Sequence, residues 1–269
     1  MIHRPCVLVF AGSDPSGGAG IQADIEAIAA QGAHALPIIT ALTVQDNDRV
    51  YAVHPVATDI LLHQAETLAR KIPIAAIKIG IVANRANAQA IADWILTFKK
   101  TYIQTNPARL MPEVVLDPVL GSGHGDALAV ENAVYALLPL LEIATLVTPN
   151  LPEAALLCPN AQNQQQQADY LMSCGALDVL IKGGHGTESR VSNNWFHAGG
   201  TECWEWPRLP GAFHGSGCTL AAAIAGQLAV GHDMPTALQA AQAYCQHALE
   251  QSYSISSGQR IPQRVLSGY

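Results

Sequence analysis

The segment His214-Gly215-Ser216-Gly217-Cys218-Thr219 carries the densest chemistry in the sequence. Two glycines flank a serine, and the run Leu220-Ala221-Ala222-Ala223-Ile224-Ala225 that follows favours a helix. Glycine has no Cβ, so its backbone can come close to a ligand. The first turn of a helix leaves N–H groups unpaired, and the helix dipole adds partial positive charge there. The pattern predicts an anion site of the kind that holds phosphate. Cys218 falls at the same helix start, where thiolate is favoured over thiol. Its pKa is therefore expected to be lowered, which suits a base or a nucleophile. A glycine-rich turn capping a core helix, with an inert buried cysteine, would show the same letters.

Other candidates close apolar runs. Asp117 follows Val114-Val115-Leu116 and precedes Pro118-Val119. Thr148-Pro149-Asn150-Leu151-Pro152-Glu153 sets Asn and Glu three apart at a strand-to-helix junction. That spacing suits a helix cap. It also suits groups that order the water shell of Mg2+, an ion that takes few direct carboxylates. Lys182 ends Val179-Leu180-Ile181, where packing asks for no ammonium; a lysine with its head turned out to solvent is the alternative. Gly12-Ser13-Asp14-Pro15-Ser16-Gly17-Gly18-Ala19-Gly20 is a long glycine-rich turn. Gly18-Ala19-Gly20-Ile21-Gln22-Ala23 satisfies the G-x-G-x-x-A dinucleotide pattern. Gly18 comes seven residues after Ala11, however, and that fingerprint needs its turn tight against the strand. No acidic residue closes the second strand either, so a nicotinamide dehydrogenase is set aside.

These groups need a frame. Residues 6–11 form a short apolar run read as a strand, 21–31 have helical spacing with Gly32 as a cap, and 36–43 read as a second strand. That βαβ unit implies a parallel sheet. Further strands are expected over 75–79, 114–117, 144–148 and 179–182, and helices over 59–70, 87–98, 131–138, 218–230 and 234–252. Segments 190–196 and 201–206 are expected as an antiparallel pair. Residues 101–111 read as a polar surface connection and 160–167 as an inert polar bridge into a helix. The tail, 254–269, reads as loosely ordered. No linker splits the chain and no repeat is visible, so residues 1–269 are read as one α/β domain. It has three layers, a mostly parallel central sheet with helices on both faces. Ligands bind beyond the carboxyl ends of such strands. There lie Gly12 to Gly20, Gln45, Gly80, Asp117, Asn150 with Glu153, and Lys182.

Composition narrows the class. The net charge is −7 and no basic stripe interleaves with aromatics, which argues against nucleic acid as a partner. A phosphate ligand must therefore be gripped locally, by N–H groups, one or two cations and a metal ion. The N-terminal apolar run is too short to cross a membrane and lacks a cleavage pattern. The six cysteines are scattered without a C-x-x-C pair, which reads as reduced thiols in a cytoplasmic protein. Only 13% of residues are charged, a fraction low enough to suggest that a second subunit covers part of the surface, as in a homodimer.

Together the segments resemble one family. The stretch from Ala11 to Asp24 resembles the opening of bacterial hydroxymethylpyrimidine/phosphomethylpyrimidine kinases of thiamine synthesis. Ala41-Leu42-Thr43-Val44-Gln45, Lys78-Ile79-Gly80, Leu116-Asp117-Pro118-Val119, the Thr148 to Glu153 segment, Lys182-Gly183-Gly184-His185 and the His214 to Thr219 segment match in the same order. The resemblance runs from about Cys6 to about Ala248. The opening motif and Cys218 are its specific parts, since an Asp usually stands at the Cys218 position in the wider ribokinase-like superfamily.

The resemblance implies a ribokinase-like fold and two successive ATP- and Mg2+-dependent phosphorylations of 4-amino-5-hydroxymethyl-2-methylpyrimidine. It implies that Gln45 bonds the pyrimidine edge and that Gly12, Ala19, Val44, Ile81 and Val119 line its pocket, with Asp24 near the hydroxymethyl. It implies that Asp117 and Glu153 serve Mg2+, and that Lys182, Thr148 and Asn150 serve the nucleotide. Gly215, Ser216, Gly217 and Cys218 would hold the transferring group. Ile81 stands where relatives often have Met, and the loop Gly121-Ser122-Gly123-His124-Gly125-Asp126 lacks a lysine that many relatives carry. His124 either substitutes for it or is a solvent-exposed loop histidine. Two rivals remain, a pyridoxal or pyridoxine kinase of the same fold and a non-catalytic small-molecule sensor.

Overall fold

The computed structural model describes residues 3–105, 111–121, 125–126, 128 and 132–265. Strand β1 (Cys6–Ser13) is buried at all but its two end residues, as a central parallel strand must be. It pairs in parallel with β2 (His34–Gln45) on one side and β4 (Ile74–Ile79) on the other. The sheet continues in parallel through β5 (Glu113–Leu116), β6 (Leu146–Val147) and β7 (Asp178–Ile181). Antiparallel strands close both edges, β3 (Val50–Pro55) beside β2, and β8 (Arg190–His197) with β9 (Gly200–Pro207) beyond β7. The order is β3-β2-β1-β4-β5-β6-β7-β8-β9. The chain first builds outward from β1 to β2 and then crosses back to β4, so the carboxyl ends of β1 and β4 flank the switch point where a crevice must open.

The same crossing sorts the helices. Helix α1 (Gly20–Ala30) covers one face together with α7 (Ser216–Ala229) and α8 (Met234–Glu250). The other face carries α2 (Thr58–Ala69), α3 (Arg85–Thr105), α4 (Ala133–Leu141), α5 (Leu151–Leu157) and α6 (Gln164–Ser173). Helix α7 is buried from Thr219 to Gly226, half of it alanine. Small side chains let it lie flat against β1, β4 and β5 while α1 and α8 flank it. That placement brings its first turn to the carboxyl edge of the sheet.

Several elements depart from the sequence reading. Strand β3 went unseen because Val50 to Pro55 is short and ends in proline. Helix α5 starts at the expected strand-to-helix junction with Asn150 as its cap, and Pro152 sits in its first turn, where a missing N–H costs nothing. Helix α3 runs to Thr105, into the expected connection, and α6 starts inside the glutamine run with Asn163 as its cap. Helix α4 begins at Ala133; Glu131, its expected start, lies outside the described residues, as do His124, residues 106–110 and residues 266–269. The tail is the main correction. Residues 252–264 fold back through backbone bonds to α8 and to the His214 loop, and Arg264 is 1% exposed.

Among the described residues no helix is long and apolar enough to cross a membrane. Overpacking tests the close seat of α7. Ala222→Leu is expected to cost about 1–3 kcal/mol, read as a lower urea midpoint at unchanged slope.

Candidate active site

A cavity of about 990 Å³ opens at the carboxyl edge of the sheet. The first turn of α7 forms its middle. Gly215 caps that helix at φ +78, and its carbonyl accepts from the Thr219 N–H at 2.9 Å and the Thr219 hydroxyl at 2.7 Å. Ser216, Gly217 and Cys218 follow, all three on the cavity wall. Two close approaches explain the glycines. A Cβ on Gly215 would lie 2.1 Å from the Gly18 carbonyl oxygen, and one on Gly217 would lie 3.1 Å from Lys182 Nζ. Gly20, which starts α1, lies close enough to Cys218 for its backbone N–H to favour the thiolate. Two helix starts therefore face one another across the wall, and both leave N–H groups without helical partners.

A row of charges lies beneath them. Lys78 Nζ is 2.9 Å from both carboxylate oxygens of Asp24, and neither side chain is exposed. Lys182 Nζ is 2.9 Å from Asp117 Oδ1, and Thr148 Oγ1 donates to the same oxygen at 3.4 Å. Asn150 and Glu153 close a reciprocal cap on α5, each side chain accepting from the other's N–H at 2.8 Å. Burial disfavours the charge of Asp117, but Lys182 and Lys78 outweigh it and hold the carboxyl below its usual range. Burial raises Glu153 well above the carboxylate range, and the charge of Asp117 adds to that while Lys182 opposes it. Burial also works against Lys78, yet Asp24 above all keeps its ammonium charged.

Cys218 corrects the sequence reading. Burial, together with Asp117 and Asp24, pushes its thiol up to about 11 against the pull of Lys78 and the Gly20 N–H. The helix start favours thiolate, but desolvation between two carboxylates is the larger effect.

Gly12, Ala19, Gln45, Ile81, Val119, Asp117, Asn150, Glu153 and Lys182 all line the cavity. Three expected residues do not line it. Asp24 is sealed behind Lys78, and Thr148 stands behind Asp117. Val44 is 51% exposed, because strand alternation turns Thr43 and Gln45 toward the cavity and Val44 away.

The structure adds two groups the sequence reading left without a role. Asp14 Oδ2 accepts from His214 Nε2 at 2.8 Å and from the Ala19 N–H at 2.7 Å. Burial opposes its ionisation, but bonds from His214, Gln45 and Ser16 bring it down to about 2. The pairing joins residues 200 positions apart, so spacing carried no sign of it. The lone lysine in an apolar strand was the available signal for Lys78. Among the described residues no cluster of three or more His, Cys, Asp or Glu side chains is placed to hold a metal ion. Asp117 and Glu153 alone fit an ion that keeps its waters and arrives on phosphates, as Mg2+ does.

Residues 14–263 match the family described as phosphomethylpyrimidine kinase. Over 264 residues the chain is 38% identical to a hydroxymethylpyrimidine/phosphomethylpyrimidine kinase of Rhizobium meliloti, covering 94% of this chain and 93% of that one. A solved phosphomethylpyrimidine kinase from Clostridium difficile superposes with a TM-score of 0.76 at 29% identity, covering 91% of this chain and all of that one. The pyridoxal kinase of Staphylococcus aureus in complex with pyridoxal superposes with a TM-score of 0.82 at 26% identity, covering 97% of this chain and 94% of that one. That kinase has also been solved with ADP and with AMP-PCP.

The buried pair yields a stability prediction. Lys78→Met strands Asp24 and is expected to cost about 3–5 kcal/mol, whereas Lys78→Met with Asp24→Leu recovers most of that loss. Urea unfolding of the wild type and both variants measures it; equal stability of the single variant and the wild type would show that the pair is not balanced as described.

Proposed function

The chain belongs to the phosphomethylpyrimidine kinase family, and from that premise we propose the following reaction. The γ-phosphoryl group of ATP passes first to the hydroxymethyl oxygen of 4-amino-5-hydroxymethyl-2-methylpyrimidine. A second transfer, to the phosphate so formed, gives the diphosphate used in thiamine diphosphate synthesis. The observation that carries this reading is the open first turn of α7, whose Ser216, Gly217 and Cys218 line the same cavity as Gln45, Asp117 and Lys182.

The Gln45 side chain suits a flat aminopyrimidine. Gln45 lies near enough to Asp14 to help lower its carboxyl. Its amide carries both an acceptor oxygen and N–H donors, the pair that the ring's exocyclic amine and neighbouring nitrogen require. Gly12, Ala19, Ile81 and Val119 supply the apolar walls. Lys182 and Asn150 serve the nucleotide. Mg2+, when bound, neutralises charge on the phosphates, and Asp117 and Glu153 are the residues that would hold it. Phosphoryl transfer is catalysed chiefly by positioning and charge stabilisation, and the N–H groups of residues 215–218 supply both where charge develops.

Cys218 acts as the proton acceptor of the first step alone. The second acceptor is a phosphate already ionised at neutral pH and needs no base. A resting thiol near 11 makes thiolate scarce at neutrality, rising about tenfold per pH unit. A neutral sulfur also adds no repulsion toward the anionic second acceptor.

A homodimer fits the exposed Leu42, Val44 and Tyr51 on the β2–β3 hairpin; sedimentation as a monomer at micromolar concentration would overturn it.

Incubation of protein, ATP, Mg2+ and the pyrimidine, followed by mass spectrometry, is expected to show the mono- and then the diphosphate. A product that stops at one phosphate, or a preference for pyridoxal, would favour the pyridoxal kinase reading. Single-turnover rates separate the steps. Cys218→Ala should slow the first by about 100-fold and leave the second nearly unchanged. Cys218→Asp should retain the first and impair the second. A first step that is flat between neutral and alkaline pH, or equal losses in both steps, would remove Cys218 as the base.

A further inference from the structure

Residues 252–264 return across the site after α8 ends. Tyr253 and Ile261 exchange backbone bonds at 3.0 and 2.8 Å. Arg260 donates its N–H to the Ala212 carbonyl at 2.9 Å and accepts from the His214 N–H at 2.9 Å. Asn47, in the β2–β3 connection, donates its amide to the Ser257 and Gln259 carbonyls at 3.0 and 3.1 Å. The segment thus touches the loop that leads into α7 and the hairpin that carries Gln45.

Its end goes further inside. Arg264 is among the largest fully buried side chains in the protein. One edge of its guanidinium spans two elements: Nη2 donates to the Gly18 carbonyl, and Nε donates to Thr219 Oγ1 at 2.8 Å. Nη1 reaches Glu26 at 3.3 Å, and the Tyr244 hydroxyl holds the Arg264 carbonyl at 2.9 Å. The Thr219 hydroxyl hands its own hydrogen to the Gly215 carbonyl at 2.7 Å. The Gly18 carbonyl is the atom that a Gly215 side chain would strike. One planar group therefore fixes the glycine-rich turn and, through Thr219, the cap of α7, on the side of the backbone facing away from the cavity. Burying a guanidinium is costly, and its fork meets two acceptors in a way a lysine cannot reproduce.

We propose that Arg264 is a positioning residue for phosphoryl transfer: it sets the spacing between Gly18 and Gly215, and so the place of the N–H groups at residues 215–218. The C-terminal segment is then part of the active site. The inference rests on the kinase reading above. It predicts a loss in turnover rather than in substrate affinity, because misplaced donors weaken the transition state more than the bound ground state.

The test compares full-length wild type, Arg264→Ala, Arg264→Lys and Thr219→Val. For both arginine variants kcat is expected to fall about 10- to 100-fold, with KM for the pyrimidine moving less than about threefold. Added guanidinium ion should restore part of the Arg264→Ala activity but none of the Arg264→Lys activity. Thr219→Val should lose less. Amide hydrogen exchange at 18–20 and 215–219 should quicken in each variant, while exchange in β1 and β5 stays put. A kcat within about twofold of wild type in Arg264→Lys and Thr219→Val, or exchange at 215–219 unchanged in both, overturns the proposal. Those two variants carry the test if Arg264→Ala does not fold. A wild type that phosphorylates nothing would refute the kinase reading instead, and the exchange comparison would still judge the positioning.

Discussion

Buried charges must be balanced within a few ångströms, and that requirement organises the centre of this protein. Asp24 and Lys78 form one closed pair, and Asp117 and Lys182 form a second. Glu153 flanks the second pair and is raised by burial and by Asp117. Each lysine is already answered by a carboxylate, so the cluster carries little surplus positive charge, and Lys182 would meet a nucleotide as half of its pair with Asp117. What the resting site does offer is the first turn of α7, with its N–H groups and dipole. In the proposed reaction the lysines would keep the carboxylates from repelling the ligand, and the helix start would grip it. That division explains why a chain of net charge −7 needs no basic surface to handle phosphate.

The grip depends on backbone reaching backbone. Gly18 and Gly215 meet where no side chain fits, and Gly217 lowers α7 onto Lys182 and Asp117. Such approaches need both partners held firmly, since a loop free to swing by an ångström forfeits much of the alignment. The alanine-rich body of α7 provides one anchor by lying flat on β1, β4 and β5. His214 provides another by bonding Asp14, which in turn gathers the Ala19 and Ser16 N–H groups. Asp14 thus ties the glycine-rich turn to the loop that leads into α7, and Gln45 lies near the same carboxylate.

Much of this was written locally. The strand-turn-helix rhythm gave the layers and the parallel sheet, and the polar groups at strand ends gave the cavity wall, because both follow from neighbours in sequence. What escaped depends on distant partners. Asp14 with His214, and Arg264 with Gly18, join opposite ends of the chain, and no spacing rule reaches so far. Asp24 was expected at the substrate since a motif carried it there, yet a lysine one strand away claims it. Val44 was misplaced by motif against pleat, as its neighbours at 43 and 45 take the inward positions. Cys218 was misjudged because a helix start is visible in letters, whereas burial between two carboxylates is not.

The raised thiol suggests why a sulfur occupies this position at all. The two proposed reactions make opposite demands on one site. An alcohol acceptor wants a base beside it, and a phosphate acceptor wants no further negative charge. A carboxylate there would be a third anion within the cluster of Asp24 and Asp117, ready for the first reaction and repelling in the second. A thiol raised to about 11 stays neutral until it is needed, and Lys78 lies close enough to favour its anion as a proton departs. The same burial that makes Cys218 a poor resting base therefore makes it compatible with both acceptors. In the proposed mechanism desolvation, a defect for the first step alone, is the property that would let one cavity carry out two successive transfers.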